Sequence, residues 1–509
     1  MTASSDQQPR ERGGHLRQML TYAVVGVINT LVGGGTTFAT IPLLGAYWAN
    51  VCGYAVGLCV SYLLNSRFTF TGHRAPGALP RFWVGFALAY TLNFAVLRLL
   101  APTFGAYWAN AGGIVTYTIA FFLIQKFYVF RPPPPEAGPR TWLPDLGRAA
   151  LLLLASRALM LVVLLIHGQV TGADCWSAWF QFDANWYADV AAHGYLIAPR
   201  FGLGGQANWA FFPLYPLLTS GLARVLALSI PVAAVIVTNA CALGCVYLLL
   251  RLGRDATARF HPRLALVFFL FGPYAFYHAT GYTEPLFFLL LLLSWMQLRA
   301  GHPLRSALFA MLLSATRAVG VFFCVVYAAE MVRTVLRLRR EGRGDLRSLT
   351  IALMPLIAAG CIAPLGLFAF MHHQHHALGD AMAFSHVQVA WGRSIGNPLA
   401  VLAEGLTLFP YKEFYFAIWY LLGVWACIHL ARRGWIGLAL FFLIATTIPL
   451  STSLISMPRY VAAVGLIPLA LGAREHPLGR FRFVLYTALL LLCNLPLLIM
   501  WCCSIEYIY

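Results

Sequence analysis

Long apolar segments separated by short loops constrain the fold of this chain more than any other feature. Hydrophobic residues make up 60% of its 509 positions, and charged residues make up only 10%. A soluble protein of this length would carry about 25% charged residues. Most of the chain must therefore lie in lipid, and many apolar segments are long enough for helices that cross a bilayer. The sequence predicts an all-α polytopic membrane protein.

The basic residues predict how the chain is oriented in the membrane. Lys and Arg together number 35, against 17 Asp and Glu, but they are found in short loops between apolar segments. This distribution is typical of the cytoplasmic loops of membrane proteins, and no soluble basic domain accompanies it. We therefore expect membrane lipids, and no nucleic acid, among the partners. The polar residues 1–18 are expected to form a disordered cytoplasmic tail and not a signal peptide.

Residues 19–131 contain an internal repeat. The sequence GAYWAN occurs at Gly45–Asn50 and again at Gly105–Asn110, sixty residues apart. Basic residues lie before, between and after the two copies, so each copy is predicted to join a pair of helices at the outer face. This four-helix unit, with NSRFTF ending its second helix, resembles the GtrA-like family. The resemblance implies a unit that moves, or helps to move, polyprenyl-phosphate sugars across the membrane.

Two polar residues of NSRFTF, Asn65 and Arg67, are candidates for contacting a lipid phosphate. The simpler explanations are a helix-to-helix hydrogen bond for Asn65 and an interfacial position for Arg67. The following segment, 132–146, opens with four consecutive prolines and cannot be helical there, so it is predicted to be a linker. Residues 147–509 would then form a second domain.

The second domain contains one unusually polar stretch, residues 182–216, directly after a predicted span. It carries Asp183, Tyr187, Asp189 and His193. On a helix, Asp183 and Tyr187 share one face, and Asp189 and His193 share another. Six residues turn a helix by about 600°, so the two carboxylates point about 240° apart. A single acid is therefore expected to carry any chemistry.

Five motifs of this domain resemble those of a known family. The loop sequence FDxxWYxxxAxHGY, followed by FFPLYP, resembles the first extracytoplasmic loop of the PIG-V-like mannosyltransferases, a branch of the GT-C glycosyltransferases. The resemblance implies a GT-C-type multi-helix membrane domain with a catalytic first extracytoplasmic loop, in which Asp183 is the base. Four further motifs follow in the family's order: GYTEPLF at 281–287, ATRAVG at 315–320, HVQVAWGR at 386–393 and SMPRY at 456–460.

Sugar transfer from a lipid phosphate needs a base, positive charge for the leaving phosphate and a groove for the isoprenoid. Asp183 suits the first role, although a solvated loop carboxylate is the simpler explanation. Arg317 and Arg459 interrupt apolar segments and suit the phosphate, unless they are interfacial anchors. The remaining predicted substrate-binding residues are polar or aromatic: Tyr187, Asp189, His193, Tyr282, Glu284, Gln388 and Trp391.

Some of these residues also have a purely structural explanation. Thr283, Glu284 and Pro285 could simply start a helix, with Thr283 as its N-cap. Gln388 and Trp391 could lie on an amphipathic helix at the interface. The HHQHH sequence that begins at His372 lacks an accompanying carboxylate in a known metal pattern. No metal site and no other cofactor is therefore predicted, and a metal requirement is left open.

The positions of the arginines also predict an interrupted helix. The segment between Arg305 and Arg333 has apolar length for one span, yet arginines at both of its ends appear in cytoplasmic positions. Two half-helices that turn near residues 315–319 resolve this conflict, and irregular backbone at membrane depth usually lines a cavity. Further spans are predicted near 147–166, 351–371, 414–431, 435–455 and 483–503.

The resemblance to the PIG-V-like mannosyltransferases implies that the chain is an integral membrane glycosyltransferase with inverting chemistry. It would transfer a hexose, mannose or a similar sugar, from a polyprenyl-phosphate sugar to a glycan or lipid acceptor of the cell envelope. The active site would face the extracytoplasmic side, and the N-terminus would be cytoplasmic. Two alternatives stay open: a non-catalytic flippase or transporter of polyprenyl-phosphate sugars, and a scaffold in envelope assembly.

Overall fold

The structure is a computed structural model. It describes separate positions between residues 22 and 129, and then residues 142–199 and 205–505. The chain divides into two compact units, Met1–Arg140 and Thr141–Tyr509. Arg67, both GAYWAN copies, the N-terminal tail and residues 132–141 of the predicted linker lie outside the described residues.

The described positions of the first unit are helical and pack around aromatic side chains. Phe82 is buried against Phe121, with ring centroids 5.3 Å apart, and Leu58 belongs to the same core. Asn65 is only 2% exposed, and its amide donates to Ser61 Oγ, one turn earlier on its own helix, at 3.2 Å. Asn65 therefore faces the interior of this unit.

The second unit has no β-strand among its described residues. Its helices are α1 Trp142–Thr171, α2 Cys175–Trp179, α3 Asp183–His193, α4 Leu214–Leu226, α5 Ile230–Leu252, α6 Pro262–Phe271, α7 Glu284–Arg299, α8 Pro303–Ser314, α9 Cys324–Arg340, α10 Leu346–Ile362, α11 Leu365–Leu378, α12 Ala383–His386, α13 Pro398–Thr407, α14 Lys412–Arg432, α15 Ile436–Leu450, α16 Met457–Ala462, α17 Leu466–Gly472 and α18 Arg480–Cys502.

Six helical stretches in the described part of the chain are long and apolar enough to cross a membrane. They confirm the prediction of an all-α polytopic membrane protein. The predicted span at 351–371 corresponds to two consecutive helices, α10 and α11. The first predicted span, 147–166, lies inside α1, which is longer at both ends and covers Trp142–Thr171. The six stretches are Asp145–Thr171, Ile230–Leu252, Ala318–Arg340, Leu346–Leu378, Lys412–Arg432 and Arg480–Cys502.

The helix α7 lies at the centre of the second unit. Eleven of its sixteen residues are buried, so it is enclosed by other helices and has little contact with lipid. Glu284 is its first residue and Arg299 its last. Because a helix rises about 1.5 Å per residue, these two ends lie about 22 Å apart. The candidate site described below lies at the Glu284 end.

The predicted helix break near residues 315–319 is present. The helix α8 ends at Ser314, a 3₁₀ turn covers Ala318–Phe323, and α9 follows. The break meets a second one, between α10 and α11: Ser314 Oγ donates to Ala363 O at 2.7 Å and accepts from Leu367 N at 3.2 Å. One side chain thereby satisfies polar backbone groups that an interrupted helix leaves open.

Candidate active site

Two acids and two arginines form an ionic network at the start of α7. Arg459, from α16, contacts both Asp183 and Glu284, and Arg317 contacts Glu284 from the break between α8 and α9. The Glu284 side chain is fully buried, whereas that of Asp183 is 33% exposed. Asp183 is therefore the acid that a substrate can reach.

Asp183 owes its position to a constrained backbone. It begins α3, and the preceding residue, Phe182, has a φ of +58°, which a bulky residue rarely adopts. The Phe182 ring packs against Trp501, with centroids 5.4 Å apart. The Asp183 N–H donates to Tyr282 Oη at 3.2 Å, and Tyr282 Oη donates to Gln181 O at 3.3 Å. The motif GYTEPLF thus anchors the loop that carries Asp183.

Thr283 connects the network to α3. It occupies the N-cap position of α7, as predicted, but its side chain makes no capping hydrogen bond. Instead its hydroxyl accepts from Arg317 Nε at 3.2 Å and lies 3.3 Å from Tyr187 Oη. Burial raises the pKa of Tyr187, so this hydroxyl stays protonated at neutral pH. Tyr187 can therefore act as a neutral hydrogen-bond donor beside Asp183.

A cavity of about 260 Å³ opens beside this network. Phe211 and Phe212, from the FFPLYP sequence, form part of its wall. Tyr282 and Glu284 lie next to the cavity, in contact with Asp183 or Arg459. Six of the predicted site residues line the cavity itself: Asp183, Tyr187, Arg317, Gln388, Trp391 and Arg459.

Asp189 and His193 do not line this cavity. Asp189 Oδ1 lies 3.2 Å from His193 Nδ1, one turn further along α3, and its Oδ2 accepts from Asn208 Nδ2 at 2.9 Å. Asn208 is fully buried and also holds the backbone of Gly194 and Leu196. Asp189 and Asn208 therefore secure the loop after α3, on a different side of the helix from Asp183.

Two further lining residues, Arg393 and Tyr460, were not predicted from the sequence. Arg393 donates to Gln388 Oε1 at 2.9 Å. Among the described residues, no carboxylate lies within 4 Å of Arg393, and Arg317 Nη1 is buried without a hydrogen-bond partner. Both residues belong to quoted motifs, HVQVAWGR and SMPRY. Arg393 lies in a polar segment, where an arginine gives no signal of its own, so the sequence pattern does not single it out.

The charges leave the site electropositive. Three arginines, Arg317, Arg393 and Arg459, face two acids, Asp183 and Glu284. One positive charge is thus unbalanced, next to the buried side chains of Glu284 and Arg459, where charge interactions are stronger than in water. An anion with several oxygens, such as a phosphate group, would complete the arrangement because it matches the fork of guanidinium donors.

Part of the cavity wall is aromatic, because Phe211 and Trp391 line it. Trp186 stacks on Phe211 with centroids 5.7 Å apart and meets Trp391 edge-on at 5.9 Å.

The described residues include no group of three or more His, Cys, Asp or Glu side chains that could hold a metal ion. His372 and His376 pack against each other at the exposed end of α11, with ring centroids 4.3 Å apart.

Comparison with known proteins identifies the first unit. Residues 21–130 match the family described as GtrA/DPMS, transmembrane domain. The chain therefore carries this domain in its N-terminal part, and the domain indicates a membrane protein connected with polyprenyl-phosphate sugars. No curated protein and no solved structure matches the chain.

Proposed function

We propose that the second unit is a glycosyltransferase with GT-C-type organisation. It would transfer a hexose, mannose or a similar sugar, from a polyprenyl-phosphate sugar to an acceptor at the extracytoplasmic face. The observation that carries the proposal is that one accessible carboxylate, Asp183, shares a cavity with three arginines. A base and a phosphate site are the two groups that this transfer needs from the protein.

Asp183 is suited to the role of base. Arg459 holds its Oδ2, and Oδ1 makes no hydrogen bond within the described part of the chain. Oδ1 would take the proton of the acceptor hydroxyl while that oxygen attacks the anomeric carbon. The bond from this carbon to the phosphate oxygen breaks on the opposite face, and the polyprenyl phosphate leaves with the electron pair. Attack and departure on opposite faces invert the anomeric configuration.

The arginines would receive the leaving phosphate. Arg393 has no acidic partner among the described residues, and Arg317 still has an unused N–H group. Charge-assisted bonds to a phosphate oxygen strengthen as negative charge develops there, which lowers the barrier to departure. Glu284 would keep Arg317 and Arg459 fixed between turnovers, because it contacts both.

The sugar would lie between the aromatic part of the cavity wall and the amide of Gln388. Trp391 is partly exposed, and its flat ring can cover the C–H face of a pyranose. Gln388 and Tyr187 offer hydrogen bonds to sugar hydroxyls from the cavity wall. The GtrA/DPMS domain gives the fusion a rationale: one unit would handle the lipid-linked donor, and the other would use it.

Two substitutions on the same short helix test this function. Asp183→Asn keeps the shape of the side chain but removes the base, so we expect transfer to fall about 10²- to 10⁴-fold. Asp189→Asn is the matched control, because Asp189 lies outside the cavity and the amide oxygen of the new side chain can still accept from Asn208. This variant should retain most of the activity. Purified protein would be assayed with a panel of polyprenyl-phosphate sugars and scored by product formation.

A non-catalytic flippase predicts a different outcome. The unmodified protein would then form no product from any donor, and Asp183→Asn would leave the transbilayer movement of the lipid unchanged. This pair of results would refute the transferase. Equal activity of the two Asn variants would refute only the role of Asp183 as the base, and not the transfer reaction itself.

A further inference from the structure

A second cavity lies at the opposite end of α7 from the candidate active site. Its volume is about 950 Å³, and it is formed by the end of α7, by α9 and by the start of α15. We call it the arginine groove after four of its lining residues: Arg299, Arg333, Arg337 and Arg340. The proposed transfer reaction makes no use of it.

Two of these four arginines have no acidic partner. Arg299 lies 3.1 Å from Asp255, and Arg333 lies 3.1 Å from Glu330. Arg337 and Arg340 have no carboxylate within 4 Å in the described part of the chain. They are one turn apart on α9, so their guanidinium groups can reach the same anion. Glu341 also lines the groove, but it makes no ion pair within 4 Å with either of them among the described residues. The groove therefore presents two arginines side by side that have no ion-pair partner.

The wall next to these charges is apolar and exposed. Val332 and Leu336 on α9 are 60% and 49% exposed, and Leu440 on α15 is 40% exposed. All three line the groove. The floor is formed by Trp295 and Trp435, whose rings lie 4.4 Å apart. Arginines beside exposed aliphatic side chains and buried tryptophans are typical of the membrane interface, where a lipid offers both a charge and a chain.

We propose that the arginine groove binds an anionic phospholipid. Its phosphate would lie between Arg337 and Arg340, and an acyl chain would cover Val332, Leu336 and Leu440. The arginine fork matches phosphate oxygens, and basic pockets between membrane helices bind lipid headgroups. The apolar wall favours a lipid over free phosphate, because it offers an acyl chain a surface that inorganic phosphate cannot use. The proposal is independent of the transfer reaction at the other end of α7.

The test compares two double variants with the same change in charge. Arg337→Gln with Arg340→Gln removes the two unpaired groove arginines. Arg339→Gln with Arg343→Gln removes two exposed arginines from the same segment that do not line the groove. Full-length protein would be reconstituted with phosphatidylglycerol in a phosphatidylcholine background, and bound lipid would be counted by native mass spectrometry. We expect at least a fivefold loss of phosphatidylglycerol adducts in the first variant and little change in the second.

Two results would overturn the proposal. An equal loss in both double variants would mean that only the general positive charge of this segment attracts lipid. Displacement of the bound lipid by millimolar inorganic phosphate would mean that the apolar wall contributes nothing. Leu336→Ser, on an exposed position, adds a check that does not depend on charge: it should weaken phosphatidylglycerol binding while the thermal unfolding midpoint stays unchanged.

Discussion

Glu284 shows how burial separates the roles of two acids in one network. Both Asp183 and Glu284 contact Arg459, but only Asp183 is exposed to the cavity. A fully buried carboxylate between two guanidinium groups is costly to replace, because its removal leaves positive charge without compensation in a poorly hydrated place. Glu284 is therefore the group that holds the arginines, and Asp183 is the group that can meet a substrate.

This difference predicts the effect of Glu284→Gln on stability. The substitution keeps the volume of the side chain and removes the charge that Arg317 and Arg459 share, so we expect a loss of about 3–5 kcal/mol. Glu330→Gln is the control, because it breaks an exposed pair with Arg333 and should cost about 0–1 kcal/mol. Thermal unfolding in detergent would rank the two variants. A midpoint for Glu284→Gln as high as that of Glu330→Gln would contradict the structural role.

The sequence was informative about individual site residues where they stood out from their surroundings. Asp183 lies in an unusually polar stretch, and Arg317 and Arg459 interrupt apolar segments; the structure brings all three together. Arg393 gave no such signal in its polar segment. Glu284 is a predicted substrate-binding residue, yet its side chain is fully buried against Arg317 and Arg459. Long-range contacts between α7, α16 and the helix break decide these surroundings. No local pattern encodes contacts of that range.

At the scale of elements, the two interrupted helices position Arg317. Charge at both ends of the 305–333 segment was enough to predict the first break. The packing of this break against the start of α11 was not predictable from the sequence, because it depends on backbone segments that are distant in the sequence and come into close contact. A Cβ atom on Gly366 would lie 2.0 Å from Met311 O, and one on Gly320 would lie 2.4 Å from Leu313 O. Only glycine fits at these two contacts.

Gly320→Ala tests this packing. The new methyl group would collide with the last turn of α8, so the backbone must shift, which we expect to cost about 1–3 kcal/mol. Arg317 lies one turn earlier and would be displaced, so transfer activity should fall as well. Gly360→Ala is the matched control on α10, where a Cβ meets nothing within 4 Å; there, alanine should be neutral or stabilise by up to about 1 kcal/mol. Unfolding midpoints that do not differ would argue against the tight contact.

At the scale of the whole molecule, the central helix α7 separates two charged ends. The candidate active site lies at one end and the arginine groove at the other. The excess of arginines near the groove predicts that this end is cytoplasmic, which would place Asp183 on the extracytoplasmic side, where the proposed reaction needs it.

Labelling of introduced cysteines would check this orientation. His376 lies at the exposed end of α11, and Arg343 lies in the exposed loop between α9 and α10. With a membrane-impermeant maleimide on intact cells, we expect His376→Cys to be modified and Arg343→Cys to react only after permeabilisation. Peptide mass spectrometry would distinguish the new cysteines from the native ones. The reverse pattern would place the candidate site in the cytoplasm and remove the proposed extracytoplasmic transfer.

The chain divides into two units after Arg140, and this division predicts how the two units behave when they are expressed separately. The cavity with Asp183 is formed entirely by residues after this point, so 141–509 alone should transfer sugar from an added polyprenyl-phosphate donor in detergent. In intact cells its product should decrease, because the donor would no longer be handled by the GtrA/DPMS domain, and co-expression of 1–140 should restore the product. Product from 141–509 alone in cells at the level of the full chain would show that the first unit is not needed for donor supply. A fragment inactive in detergent but active in cells with 1–140 would instead mean that the first unit supports the transferase itself.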